Sequence, residues 1–139
     1  MKLIINTDGG ARGNPGPSGI GVVIATDDGK TISFHKKYIG EATNNVAEYK
    51  ALILALQEAQ RIFNLESSIL NLEVNMDSEL IVRQMQGRYK IKDERLKILA
   101  SEVLKLIKQF KTVSFNHVRR EQNKLADKLV NEAIDEALS

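Results

Sequence analysis

A chain of 139 residues with a formal net charge of +2 has room for one domain with a real core, and 42% hydrophobic with 27% charged residues exclude a disordered or fibrous class. It has no cysteine, which excludes disulfides, thiol catalysis and thiolate metal sites and agrees with a reducing compartment. The N-terminus MKLIINTDGG has no long apolar stretch and no run approaches a membrane span, so the expectation is one cytoplasmic domain over residues 1–139, a monomer without membrane association.

Charge is unevenly placed along the chain. Residues 1–82 hold 7 basic and 10 acidic side chains, residues 83–120 hold 11 and 3, and residues 121–139 hold 2 and 5. A middle segment that basic suits a phosphate backbone, although a solvated lysine-rich helix has the same composition.

Residues 2–7 (KLIINT) are predicted as a strand ended by Asp8, followed by a long turn through the glycine- and proline-rich stretch Gly9–Gly19. Strands at 20–26 and 31–39 are joined by Asp27-Asp28-Gly29-Lys30, a hairpin signal that makes them antiparallel. Helical periodicity runs from Asn44 to Phe63, with Leu52, Ala55, Leu56, Ala59 and Phe63 on one face. Residues 69–76 alternate as a half-buried strand. Asp77-Ser78 then forms a capping signal for a short helix to about Gln86, which Gly87 ends. A helix at 93–110 turns Leu96, Leu99, Val103, Leu106, Ile107 and Phe110 inward; residues 112–117 read as a strand and 122–138 as a last helix. The order β-β-β-α-β-α-α-β-α implies an α/β fold: a mixed sheet of three antiparallel strands and then parallel ones, flanked by helices.

Four carboxylates stand out against this pattern. Glu48 lies in the apolar stripe of its helix with Leu52, Ala55 and Ala59, where a carboxylate must be paired, protonated or bound to a cation. Asp8 at a strand end and Asp77 before a helix have competing readings as turn and capping residues. Asp127 falls at the edge of the last helix's apolar arc, where carboxylates are usually solvated. The first strand and the strand after the crossover helix can be neighbours, and ligands favour the crevice beyond the carboxyl ends of parallel strands, so Asp8 and Asp77 meet there. Converging carboxylates raise one another's pKa unless cations intervene. Hard divalent ions such as magnesium answer that need, and a pair of them can clamp both oxygens of a phosphoryl displacement. The expected chemistry is phosphodiester hydrolysis.

The stretches TDGGARGNPGP (7–17), TNNVAEYKAL (43–52), MDSELIVRQMQG (76–87) and HVRREQNKLADKLVNEA (117–133) closely resemble type 1 ribonuclease H, in order and separation, across nearly the whole chain. The resemblance implies the ribonuclease H-like fold with a five-stranded mixed sheet. It further implies that Asp8, Glu48, Asp77 and Asp127 are metal-binding and catalytic, with His117 as a mobile histidine that moves protons or helps product leave. The implied cofactor is two Mg2+ ions per site, with Mn2+ as the alternative. The implied reaction is cleavage of the RNA strand of an RNA/DNA hybrid to 5′-phosphate and 3′-hydroxyl ends. Gly9, Asn14, Thr43, Asn44, Asn45, Arg83 and Arg119 are the implied substrate contacts, since amides and hydroxyls bond sugar and base edges without reading sequence. For Asn44 and Asn45, helix capping competes.

The chain departs from the family pattern in two places. Only Arg88-Tyr89-Lys90-Ile91-Lys92 stands where many members carry an extra basic, tryptophan-rich helix, and there is no tryptophan. Lys90, Lys92, Arg95 and Lys97, with Arg119 and Arg120, are candidate substitutes. Glu79 stands where glutamine is frequent, and a carboxylate there repels phosphate. The handle-free form is similar to archaeal and some bacterial enzymes, a subset of which also cut double-stranded RNA, so that substrate is the alternative partner. A non-catalytic nucleic-acid-binding module is opposed by retention of all four carboxylates. An actin-like ATPase, suggested by Asp8-Gly9-Gly10, needs two copies of the domain and is opposed by length.

Overall fold

Three long strands open the chain: β1 (Lys2–Ala11), β2 (Gly16–Thr26) and β3 (Thr31–Ala42). They are followed by α1 (Asn44–Leu65), β4 (Asn71–Met76), α2 (Glu79–Met85), α3 (Glu94–Ile107), β5 (Thr112–His117) and α4 (Lys124–Leu138). These elements come from a computed structural model, which describes residues 2–65 and 71–139. The predicted element order is the observed one; residues 69–70 of the fourth predicted strand lie outside the described residues.

The five strands form one mixed sheet in the order β3-β2-β1-β4-β5, with β1–β2 and β2–β3 antiparallel and β1–β4 and β4–β5 parallel. Gly29, at φ +89°, closes the β2–β3 hairpin as Asp27-Asp28-Gly29-Lys30 predicted.

The expected long turn from Gly9 to Gly19 is corrected. Gly9 pairs with Ile20, Gly10 with Gly19 and Ala11 with Ser18, so the ladder continues and only Arg12–Pro15 turn. Asp8 therefore does not end its strand. Apart from Gly13 in that turn, at φ +87°, the glycines inside the ladder supply room rather than bends. A Cβ on Gly19 would meet the Val130 carbonyl oxygen at 2.7 Å, and one on Gly21 the Ala126 oxygen at 2.4 Å, so α4 lies almost directly on the backbone of β2.

The sheet has two unlike faces. Leu3, Ile5, Val22, Ile24, Leu72, Val74 and Met76 pack against Tyr49, Leu52, Leu56 and Ala59 of α1 and Leu96, Ala100 and Val103 of α3 in one large core, joined by Phe110. Leu99, Leu106 and Ile107 border that core partly buried, so the predicted inward stripe of α3 holds, with Ala100 added. On the opposite face α4 lies over β1, β2 and β3, with a small apolar cluster of Val23, Ala126 and Leu129. No described helix is long and apolar enough to cross a membrane.

Candidate active site

The site forms where the two faces meet, at the carboxyl end of β4 and beside the part of β1 that runs on past it. Thr7 is level with Met76 in the parallel β1–β4 register, which sets Asp8 beside Asp77 as the chain order predicted. Asp8 is opposite Gly21, the residue covered by Ala126, so Asp8 shares the face of α4. Glu48 comes from α1 on the other face. A Cβ on Gly9 would lie 2.3 Å from the Ala47 carbonyl, so only glycine lets α1 approach this closely, and the Gly9 N–H donates to Glu48 Oε1 at 2.8 Å.

Asp8, Glu48 and Asp77 each offer a carboxylate oxygen within 4.8 Å of the others. Asp8 and Glu48 are both 7% exposed. Burial, with the charges of Asp77 and Asp127 and a hydrogen bond that the protonated Asp8 carboxyl donates to Asp127, pushes the Asp8 carboxyl up to about 8. Burial and the charges of Asp8 and Asp77 also push Glu48 well above its ordinary value, against a smaller opposing effect of the Gly9 N–H. Two buried acids that resist ionisation beside a third are suited to a hard cation, and oxygen-only donors fit Mg2+ or Mn2+ better than a softer metal. Asp127, half-buried in the first turn of α4, touches Asp8 but stands outside the group in which every pair meets.

Capping does not compete for Asp77. Ser78 is the N-cap of α2 and accepts from the Ile81 N–H, which leaves the Asp77 carboxylate free. The same holds for Asn44 and Asn45, because Thr43 Oγ1 accepts from the Val46 N–H at the start of α1. The Asn44 side chain instead accepts from the Ala11 N–H, and its own N–H donates to Asn14 Oδ1, both at 2.9 Å. These bonds lock the β1–β2 turn to α1.

The carboxylates open into a cavity of about 730 Å³. Of the sequence candidates, Gly9, Asn44, Asn45, His117 and Arg119 line it with the four acids. Asn14, Thr43 and Arg83 do not: the first two are occupied in holding α1, and the Arg83 guanidinium donates to Gln86 Oε1. His117 ends β5 with its Nδ1 3.9 Å from Glu79 Oε2, so the departure at Glu79 sets a carboxylate beside the histidine.

Sequence reasoning missed Asn123 and Gly21. Asn123, 1% exposed, donates to the Thr7 carbonyl at 2.9 Å and accepts from Asn6 at 3.0 Å, pinning the start of α4 next to Asp8. An asparagine at a helix start and a Gly-Ile-Gly alternation inside a strand were the available signals.

Fold and site together define an α/β domain built to gather acidic side chains at the end of a mixed sheet, beside a cationic rim. The Reverse transcriptase-like family matches residues 6–133. The chain is 44% identical over 138 residues to a bifunctional protein of Mycobacterium tuberculosis, covering 99% of this chain and 36% of the relative. It is 40% identical over 130 residues to ribonuclease HI of Halobacterium salinarum, covering 94% of this chain and 63% of the relative. Among solved structures, LC11-RNase H1 in complex with RNA/DNA hybrid superposes with a TM-score of 0.94 at 54% identity, covering 99% of both chains. The chain thus spans about a third of the mycobacterial relative and under two thirds of the halobacterial one. It belongs to the Reverse transcriptase-like family, and its fold is that of the type 1 ribonuclease H structure it superposes on.

Proposed function

We propose that this chain is a metal-dependent endoribonuclease that hydrolyses the RNA strand of an RNA/DNA hybrid, leaving 5′-phosphate and 3′-hydroxyl ends. The observation that carries the reading is the meeting of Asp8, Glu48 and Asp77 within 4.8 Å at the head of an open cavity. Its support includes the hybrid complex of LC11-RNase H1, a chain of equal extent.

Asp8, Glu48, Asp77 and Asp127 are the residues that would hold two Mg2+ ions, or Mn2+ in their place. When bound there, the ions supply positive charge to the attacking and departing oxygens of the phosphodiester. The protein's own part is positional. The Gly9 N–H fixes one Glu48 oxygen, the Asn6–Asn123 contact sets the height of α4 and hence of Asp127, and Thr43 capping keeps α1 in place. Asn44 and Asn45 line the cavity as uncharged donors and acceptors for sugar and base edges, chemistry that separates RNA from DNA through the 2′-hydroxyl. Arg119 answers phosphate charge, and His117, at the rim, takes up or returns a proton as the leaving oxygen departs.

The test is side-by-side cleavage of labelled hybrid, double-stranded RNA and double-stranded DNA with Mg2+ or Mn2+. Metal-dependent cuts confined to RNA, with hybrid fastest, are expected. No cleavage of any RNA at any metal concentration overturns the reading, and equal cutting of double-stranded RNA replaces hybrid preference with a broader one.

A further inference from the structure

Arg12 belongs to none of the sequence candidates, yet it lines the cavity that holds the carboxylates. It is the first residue after β1, in the short turn that the Asn14–Asn44–Ala11 bonds clamp to α1. Its guanidinium is tied to α4: Nη2 lies 2.7 Å from Asp135 Oδ1 and 3.4 Å from both the carbonyl and side-chain oxygens of Asn131.

The pair is open to solvent, with 42% of the Arg12 side chain and 66% of the Asp135 side chain exposed. Exposed pairs of this kind contribute little to stability. What this one does is hold a long, rotamer-rich side chain in a single direction at the cavity wall, so that less ordering is needed when an anion arrives. Exchange of one carboxylate for a phosphate conserves the charge pairing and suits the planar fork of donors.

Position decides which phosphate. Along α4, Asp127, Asn131 and Asp135 succeed one another at intervals of one turn, so Asp135 is about 12 Å from Asp127 at 1.5 Å per residue. That is too far for the phosphodiester under attack and suits a neighbouring one on the same backbone. Arg119 and Arg120 line the cavity from the segment after β5, so Arg12 supplies a cation from the β1 and α4 side.

We propose that Arg12 is a phosphate-contacting residue that grips the bound nucleic-acid backbone away from the scissile bond, released from Asp135 as substrate enters. The proposal rests on the nuclease reading for its substrate. It adds a contact on the turn, whereas the basic residues noted in the sequence lie in α2, between α2 and α3, in the first turn of α3 and after β5.

The experiment compares Arg12→Gln with Asp135→Asn, because both break the same ion pair. Cleavage of a labelled hybrid and its equilibrium binding in Ca2+ are followed across a salt series. In Arg12→Gln, KM and the hybrid Kd are expected to rise about five- to tenfold, with the loss falling on KM rather than kcat, and the salt slope to fall by about one. Asp135→Asn is expected to bind as tightly as wild type or more tightly. An unchanged Kd and salt slope in Arg12→Gln, or an equal weakening in both variants, overturns the proposal, the latter because Arg12 then only braces α4. Absence of wild-type cleavage removes the nuclease reading alone, since the binding comparison still decides whether Arg12 meets the backbone.

Discussion

The two faces of the sheet are built by different means. Under α1 and α3 lies a continuous core of large aliphatic side chains, whereas under α4 the small Val23–Ala126–Leu129 cluster is supplemented by bare glycine backbone and amide contacts. The Asn75 amide reaches Asn6, and Asn6 reaches Asn123, linking β4, β1 and the head of α4. Apolar packing on the first face tolerates exchange of one hydrophobe for another and carries most of the stability. Close backbone contact and directional hydrogen bonds on the second fix where α4 sits, and with it Asp127. Stability is concentrated on one face and precision on the other, and the acidic cluster draws one member, Glu48, from the first.

Glu48→Gln tests that division most severely. The amide keeps the shape and can still accept from Gly9, but it removes one of the charges proposed to hold metal. Cleavage is expected to fall by several kcal/mol of transition-state stabilisation, roughly a thousandfold or more. Stability without metal at neutral pH is expected to hold or rise, since a buried acid beside Asp8 and Asp77 is gone. Activity near wild type in single-turnover assays would remove Glu48 from the site.

The same burial predicts a pH dependence for the metal-free protein. Asp8 titrates near 8 against 3.8 for an ordinary aspartate, and Glu48 is shifted in the same direction. Between about pH 4 and 8 the native state therefore holds protons that the unfolded chain has released. The associated stability is fully present below about pH 4 and is lost as pH rises to about 8, at about 1.4 kcal/mol per pH unit for each extra proton. Thermal scans without metal should show Tm falling from pH 5 to 8, less steeply in Glu48→Gln. Saturating Mg2+ should raise Tm at pH 8 far more than at pH 5. A Tm that climbs over this range would contradict the buried, protonated pair.

How much of this was legible in the sequence follows from the same contrast. The α1 face announced itself because long aliphatic residues recur at helical or alternating spacing, and a charge in that stripe, Glu48, was conspicuous. The α4 face is encoded by what is absent. Gly9 and Gly19 read as part of a turn because glycine permits turns, whereas Gly19 admits α4, and Gly9 the Ala47–Glu48 backbone of α1, at distances no Cβ allows. That is a tertiary property with no local signature. Asp77 likewise looked like a cap until Ser78 proved to occupy that position, and the placement of Asp8, Asp77 and Asp127 drew on family resemblance where spacing alone left them ambiguous.

Gly21→Ala probes the second face directly. Its Cβ would press on the Ala126 carbonyl at 2.4 Å and the Leu129 side chain at 2.9 Å, and backbone cannot yield as a flexible side chain does. A loss of about 1–3 kcal/mol is expected from overpacking, with kcat falling further as α4 lifts and takes Asp127 from Asp8. Gly29→Ala, a positive-φ position with nothing within 4 Å, serves as the control: some backbone strain, but unchanged kcat. Equal kcat losses in the two would show that Gly21 matters for stability alone.

The smallest effect is expected from the first face's polar exception. Thr7 is fully buried and its Oγ1 has no hydrogen-bond partner among the described residues, although it directly precedes Asp8 and is level with Met76. An unpaired buried hydroxyl costs free energy that a methyl group of the same shape does not. Thr7→Val should therefore leave stability unchanged or raise it by up to about 1 kcal/mol in denaturant unfolding, with cleavage kinetics preserved. If stability instead falls by 1 kcal/mol or more, the hydroxyl is engaged in the folded protein, and the apolar face carries a polar contact close to the acids that its packing does not reveal.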